Sequence, residues 1–174
     1  MRNTLFLLLA FCFLTSCNKA NQSAKVNSFE NKIKKQAIRV AENHLKDQIK
    51  DAKKTKNNDG SIIFSAGDIK CLIDPSNIII GEIDEDSYKD AIVTIFTFQG
   101  QRLPLKEHLI LINKNGKLSI SKELDGEMKF LSISDRTIFI ETSKVAPDSP
   151  FADCQICKEI KKYKFIAGDT ARIK

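Results

Sequence analysis

The chain has 174 residues and a formal net charge of +6, a length that suits one globular domain with a sizeable core. The positive charge is concentrated in residues 18–56, which hold 11 Lys and Arg against 4 Asp and Glu, whereas residues 57–174 hold 16 against 18. The surplus therefore belongs to an N-terminal arm, and a uniformly basic domain is excluded.

The chain opens with one positive charge, Arg2, followed by an apolar run over residues 5–14. This order is typical of a secretory signal peptide. The run is too short to cross a bilayer, which takes ~20 apolar residues. It ends in Leu14-Thr15-Ser16-Cys17.

These four residues resemble the lipobox of bacterial lipoproteins. The resemblance implies that residues 1–16 are removed, that Cys17 becomes the first mature residue, and that it carries covalent lipid on its thiol and amine. Residues 17–27 then form a lipidated tether, and residues 28–174 a single domain. Asn18 is not the Asp that resembles an inner-membrane retention signal, so the outer membrane is favoured. Nucleic acid is not an expected partner.

The periodicity predicts an α+β fold, with an N-terminal amphipathic helix packed on an antiparallel β-sheet. An apolar stripe runs from Phe29 to Ile49 at spacings of three and four, which is typical of a helix. Its lysines would face water or, alternatively, anionic headgroups. From Gly60 onward short apolar runs predict strands, with Asn115-Gly116 as a hairpin turn. The predicted strands are 61–65, 70–73, 77–83, 91–98, 108–113, 117–123, 128–133, 137–142, 161–166 and 170–173.

An acidic loop, residues 82–90, lies between two of these strands. Its candidate metal ligands are the side chains of four acidic residues and one main-chain carbonyl: Glu82, Asp84, Asp86, Asp90 and the carbonyl of Tyr88. Alternating carboxylates in a tight loop supply the hard oxygen ligands that Ca²⁺ prefers.

The loop resembles the Asp-rich calcium loop of FG-GAP repeats in integrin-like propellers, which also occurs singly in small bacterial lipoproteins. Two positions depart from that pattern, because Glu82 replaces Asp and Ser87 replaces the Gly of the sharp turn. A propeller needs several blades, so one copy does not predict that fold. A solvated acidic loop without metal is the alternative.

Three cysteines remain after the signal peptide and Cys17: Cys71, Cys154 and Cys157. In an oxidising compartment they predict one structural disulfide, either within Cys154–Cys157 or from Cys71 to one of these two. A redox-active C-x-x-C pair is an alternative, although it would require the first cysteine at a helix N-terminus. A zinc site that also used His44 and His108 is another.

The sequence reveals no set of residues in a known catalytic arrangement. We therefore expect a non-enzymatic, membrane-anchored bacterial envelope lipoprotein that binds or supports another envelope protein or a glycan. The alternatives are a cell-wall glycan hydrolase, which would use the carboxylates of the acidic loop, and a thiol-disulfide oxidoreductase.

Overall fold

The computed structural model describes residues 28–100, 102–144, 157–166 and 169–173, with the backbone alone for residues 166 and 169–173. The predicted signal peptide and tether lie outside these ranges. The chain divides into two units, Met1–Lys32 and Ile33–Lys174. Within the described ranges no helix has both the length and the apolarity that a membrane crossing demands.

The helix α1 comprises residues 28–48. From Ile33 onward its buried residues recur every four positions, at Ile33, Ala37, Ala41 and Leu45. Residues four apart lie on the same helix face, so these four side chains form one line. Two of them are alanines, whose small side chains let the helix backbone lie close to the sheet beneath.

The predicted helix on an antiparallel sheet is confirmed, but its description as an N-terminal amphipathic helix is wrong. The helix begins at residue 28 of the chain. The wide apolar stripe reduces to a narrow buried line, because Phe29 is 46% exposed and both Val40 and Ile49 are only partly buried. Spacing alone does not reveal how many apolar positions of a helix find a partner.

In the described part of the chain, eleven strands follow the helix and form two antiparallel sheets, where the sequence predicted one. The first sheet has seven strands in the order β1-β2-β3-β5-β6-β7, with β4 also paired to β5, and the second has four in the order β11-β10-β9-β8. The first sheet contains β1 (Lys53–Lys56), β2 (Ile62–Ala66), β3 (Ile69–Ile73), β4 (Ile79–Gly81), β5 (Asp90–Gln99), β6 (Leu105–Lys114) and β7 (Lys117–Asp125). The second sheet contains β8 (Lys129–Ser134), β9 (Thr137–Ser143), β10 (Lys158–Ile166) and β11 (Asp169–Ile173).

Strands β3 and β4 pair with successive parts of the same strand, β5. The chain leaves the edge of β5 after Ile73, which pairs with Ile95, and returns at Ile79, which pairs with Ile92. A 3₁₀ turn (Pro75–Asn77), capped by the Asp74 carboxylate, fills the interruption. The long predicted strand 77–83 is therefore only three residues long, and the remainder belongs to the turn and the acidic loop.

The first sheet has a buried core on each of its two faces. On one face it packs against α1, which we call the helix–sheet core. On the other face it packs against the second sheet, which we call the intersheet core. The alternation of β5 divides its side chains between them, since Val93 and Ile95 belong to the helix–sheet core and Ile92 to the intersheet core. The domain thus has three layers: helix, sheet and sheet.

The two sheets come closest where β4 meets β8. A Cβ atom on Gly81 would lie 2.5 Å from Cβ of Ile133, so a side chain at this position would collide with the second sheet. The hydrophobic side chains that fill the remaining space are Ile83, Ile92, Ile110, Ile112, Phe130, Ile138 and Ile140. This contact fixes the position of the acidic loop, which begins directly after Gly81.

The predicted Asn115-Gly116 hairpin is confirmed, and the structure has a second tight hairpin. Strands β6 and β7 pair with Lys114 opposite Lys117, and the turn residues Asn115 and Gly116 both have positive φ. Strands β8 and β9 pair with Ser134 opposite Thr137. Both hairpin turns lie near the acidic loop and form part of the cleft described below.

Candidate functional site

The acidic loop connects β4 to β5, and its last carboxylate, Asp90, is completely buried. One Asp90 oxygen accepts a hydrogen bond from the backbone N–H of Ile83 at 2.6 Å, and the other accepts one from the N–H of Asn113 at 2.8 Å. The Asn113 side chain in turn donates to the carbonyl of Lys89 at 2.9 Å. Asp90 therefore fastens both ends of the loop to strand β6.

Burial raises the pKa of the Asp90 carboxyl to about 6, although the hydrogen bonds from Asn113 and Ile83 act in the opposite direction. A buried carboxylate loses its hydration, and two backbone donors replace only part of it. The group therefore titrates near neutral pH while it holds the loop.

The carboxylates in the middle of the loop bond to the loop's own backbone. The N–H of Asp86 donates to Asp84 at 3.2 Å, and the N–H of Tyr88 donates to Asp86 at 2.9 Å. Burial raises the pKa of Asp84, and the side chain of Asp86 raises it further, although the hydrogen bond from the Asp86 backbone N–H acts in the opposite direction. Ser87 has φ 65°, so it adopts the left-handed conformation that usually favours Gly.

The two glutamates of the loop form ion pairs. Glu82 lies 3.4 Å from Lys89, and Glu85 lies 3.3 Å from Arg136 on the β8–β9 turn. Within the part of the chain that the structure describes, no three acidic-loop carboxylates bring a ligand atom each within 4.8 Å of one another. The predicted ligands are thus neighbours in the loop without converging on one point, and calcium binding stays a prediction.

A cleft of about 750 Å³ opens beside the acidic loop, at the end of the intersheet core. Its base is apolar, with Ile83, Ile112 and Phe165 contributed by the loop and both sheets. Its other lining residues are mostly charged or hydroxyl-bearing: Asp84, Glu85, Lys114, Ser119, Ile120, Ser121, Arg136 and Lys164.

Three cationic side chains surround this cleft. Arg136 is paired with Glu85, whereas Lys114 and Lys164 have no carboxylate within 4.0 Å among the described residues. The charge of Lys114 acts on Asp84, whose pKa it tends to lower. Two exposed ammonium groups over an apolar base can bind the anionic group of a ligand whose remaining part is apolar.

A smaller cleft of about 430 Å³ lies between the first sheet and β8. It is lined largely by apolar side chains, including Phe96, Met128 and Phe130. His108 packs beside it, with its ring centroid 4.8 Å from that of Phe130.

The hydrogen bonds of His108 define its role. Its Nε2 lies 3.2 Å from the carbonyl of Gly126, and its Nδ1 lies 2.9 Å from Oγ1 of Thr94. Because a carbonyl only accepts, Nε2–H donates to it, and Nδ1 accepts from the Thr94 hydroxyl. Burial also lowers the pKa of His108. This is a neutral, structural histidine.

The cysteines have separate positions. Cys17 and Cys154 lie outside the described residues. Cys71 is free and buried in the helix–sheet core, where burial raises the pKa of its thiol. Cys157 is disulfide-bonded, and because Cys71 is free, its partner is not among the described cysteines. The pairing of Cys154 with Cys157 stays a prediction.

The sequence analysis did not identify the cationic residues of the cleft. Lys114 lies next to the Asn115-Gly116 turn, Arg136 lies in the second hairpin turn, and Lys164 belongs to a strand that contains four lysines. None belongs to a motif, and only the packing of the two sheets brings them together. Only the hairpin turn signals in the sequence could have indicated this site, because the turns lie at the edge of the sheets where these side chains meet.

Comparison of the chain with protein-family models, curated proteins and solved structures found no match.

Proposed function

We propose that this protein is a lipid-anchored lipoprotein of the bacterial cell envelope whose two-sheet domain binds an anionic envelope glycan. The anchor is the lipid on Cys17, and the outer membrane is the favoured location. Support for the anchor comes from the Leu14-Thr15-Ser16-Cys17 sequence behind the apolar run. Support for binding comes from the cleft beside the acidic loop.

The observation that carries the binding proposal is the pair of ammonium groups, Lys114 and Lys164, over the apolar base of that cleft. Glycans of the envelope combine carboxylate or phosphate groups with apolar ring faces. The ammonium groups suit the anionic part, and Phe165 and Ile112 suit the ring faces. Ser119 and Ser121 supply hydroxyls, which both donate and accept hydrogen bonds.

The test is the binding of full-length protein, purified in detergent, to isolated cell-wall glycan fragments. Reversing two charges with Lys114→Glu and Lys164→Glu should weaken binding about tenfold, which corresponds to ~1.4 kcal/mol. The matched control reverses Lys53 and Lys70, two exposed lysines outside the cleft. Binding should also weaken as salt screens the charges. If both double variants lose the same binding affinity, the loss is due to the change in net charge, and this result would contradict the assignment of the cleft as the binding site.

The anchor has its own test. Cys17→Ala should leave unprocessed or soluble protein, because no residue remains to receive the lipid. Partition of that variant into the detergent phase as a mature form would contradict lipidation at Cys17.

Calcium binding by the acidic loop belongs to the same proposal, as a structural site. Ser87 has the backbone conformation of the sharp turn although it is not Gly. Extracellular calcium sites of this kind bind at ~10⁻⁴–10⁻³ M. Millimolar Ca²⁺ should raise the melting temperature, and Asp84→Ala with Asp86→Ala should abolish that response. Identical melting curves in Ca²⁺ and in chelator would contradict the site.

The alternative of a glycan hydrolase is favoured by one observation. The cleft contains two carboxyl groups in different environments: the pKa of Asp84 is raised by burial, whereas Glu85 is paired with Arg136. Retaining and inverting glycosidases use two carboxyl groups that flank the scissile bond, one of them a general acid with a raised pKa. Release of reducing ends from bound glycan, lost in Asp84→Asn, would support the enzyme over the binding module. For the oxidoreductase alternative the described residues supply no such observation, because the first cysteine of the motif, Cys154, lies outside them and Cys157 directly precedes β10.

A further inference from the structure

A second group of polar residues lies between α1 and the first sheet, away from the cleft. His44 comes from α1, Glu107 from β6 and Glu123 from β7, and each places one ligand atom within 4.8 Å of the others. Within the described ranges this is the only group of three His, Cys, Asp or Glu residues that meets this distance. The side chains of His44 and Glu107 are 10% and 17% exposed, and that of Glu123 is 51% exposed.

The fold holds these three side chains on one side of the sheet. His44 precedes Leu45, whose side chain is buried in the helix–sheet core. Glu107 lies two residues before Leu109, and Glu123 pairs with Leu109 across the β6–β7 ladder. Since side chains two apart, and side chains directly opposite, share a face, both glutamates point towards α1. Two carboxylates and an imidazole thus share a half-buried space at the edge of the core.

His44 lies within a small hydrogen-bonded group. Its Nε2 lies 2.7 Å from Oε1 of Glu107 and 2.9 Å from Nε2 of Gln48, one helical turn further on. The Gln48 amide also donates to the same Glu107 oxygen at 3.4 Å. An imidazole nitrogen and a carboxylate oxygen are both atoms that bind metal ions.

A cation in place of the shared proton would satisfy the same groups. It would accept the lone pair of His44 and an oxygen of Glu107, and rotation of the Gln48 amide would present a second oxygen. Glu123 lies 3.7 Å from Nδ1 of His44, and one ligand atom from each of the three residues lies within 4.8 Å of the others. The cation would also relieve the repulsion between the two carboxylates.

We propose that His44, Glu107 and Glu123 form a binding site for a divalent transition-metal ion, with Zn²⁺ as its best representative. Imidazole together with carboxylate suits Zn²⁺, which binds nitrogen at ~2.0–2.1 Å and carboxylate oxygen at ~2.0–2.2 Å. Calcium prefers oxygen ligands alone, so this site differs in chemistry from the acidic loop. Three protein ligands leave one tetrahedral position for Gln48 or water. The site joins the helix to β6 and β7.

The test measures Zn²⁺ binding to the full-length protein in detergent by calorimetry, and Co²⁺ binding by its ligand-field absorption. Glu107→Gln keeps the shape of the side chain and removes the charge. Affinity should fall at least ~10–100-fold, the loss that even removal of an outer-shell partner of a metal ligand causes. His44→Ala should abolish the Co²⁺ spectrum of a nitrogen ligand. Asp47→Asn, an exposed acid on the same helix, is the matched control and should bind as the wild type does.

Far-UV circular dichroism in chelator separates loss of the fold from loss of the site. If His44→Ala fails to fold, Glu107→Gln and Glu123→Gln carry the test. Saturable 1:1 binding that is weakened by these two variants and not by Asp47→Asn establishes the site. Absence of saturable binding in the wild type, or equal binding in all variants, overturns it and leaves a His–Glu ion pair.

Discussion

Asp90 illustrates how one residue type can have two roles within a single motif. The sequence placed it among the calcium ligands because it follows Glu82, Asp84 and Asp86 at a suitable spacing. In the structure both of its oxygens already accept backbone hydrogen bonds, one from Ile83 in the loop and the other from Asn113 on β6. Spacing along the chain indicates which carboxylates lie near one another. It does not indicate which of them is buried, because the burial of Asp90 depends on how the following strand packs.

The raised pKa of Asp90 makes the stability of the protein depend on pH. Its pKa is about 6 in the folded state, above the ordinary value of 3.8. The folded state therefore binds the proton more tightly, so this group stabilises the fold most below about pH 4. That contribution is lost as the pH rises through about 6.

Compared with Asp90→Asn, the wild type should lose free energy of unfolding as the pH rises from about 4 to 6. Above about pH 7 the difference between the two proteins should be constant. Denaturant unfolding of both proteins at several pH values measures it. Asp68→Asn, an exposed change in the β2–β3 turn, is the control. A pH-independent difference would mean that the Asp90 pKa is the same in the folded and unfolded states.

At the scale of elements, the sequence predicted most of the strands and missed one. β1 consists of Lys53, Lys54, Thr55 and Lys56, all exposed, so it carries no apolar pattern. It pairs only at the edge, with β2, where lysines prevent further strand addition. β1 forms because the backbone of β2 offers it hydrogen-bonding partners. The amino-acid composition of β1 does not indicate this pairing.

The approach of β4 to β8 predicts a specific sensitivity at Gly81. In Gly81→Ala the new Cβ would lie 2.5 Å from Cβ of Ile133, so the two sheets must separate. Overpacking of this kind typically costs ~1–3 kcal/mol. Thermal or denaturant unfolding of the variant measures the loss.

A double-mutant cycle identifies the cause. Ile133→Gly removes both Cβ and Cγ2, the atoms that would lie 2.5 and 2.8 Å from the new Cβ. The double variant should therefore lose less stability than the sum of the two single variants. Simple additivity would show that Gly81 does not act through Ile133.

At the scale of the whole molecule, the sequence predicted the fold class but not the number of layers. Alternation in a strand indicates which residues share a face, but it does not identify what covers each face. β5 and β6 are buried on both faces, with Ile92 and Ile110 on one side and Val93 and Leu109 on the other. Near-continuous apolar runs indicate such strands. The residues around His44 were missed for a related reason, because they come from a helix and two strands.

The shared strands β5 and β6 predict that the helix–sheet core and the intersheet core unfold together. Leu45→Ala opens a cavity in the first core and Ile138→Ala opens one in the second, at positions 1% and 0% exposed. Each should cost ~2–5 kcal/mol, and since the two residues belong to separate cores, the losses should add within ~0.5 kcal/mol. Denaturant unfolding followed by circular dichroism should show one transition, shifted to lower midpoint with an unchanged slope.

Amide hydrogen exchange should be slowest in β5 and β6, because only global unfolding exposes them. If either variant instead splits the transition into two, the cores are independent, and the central strands do not couple them.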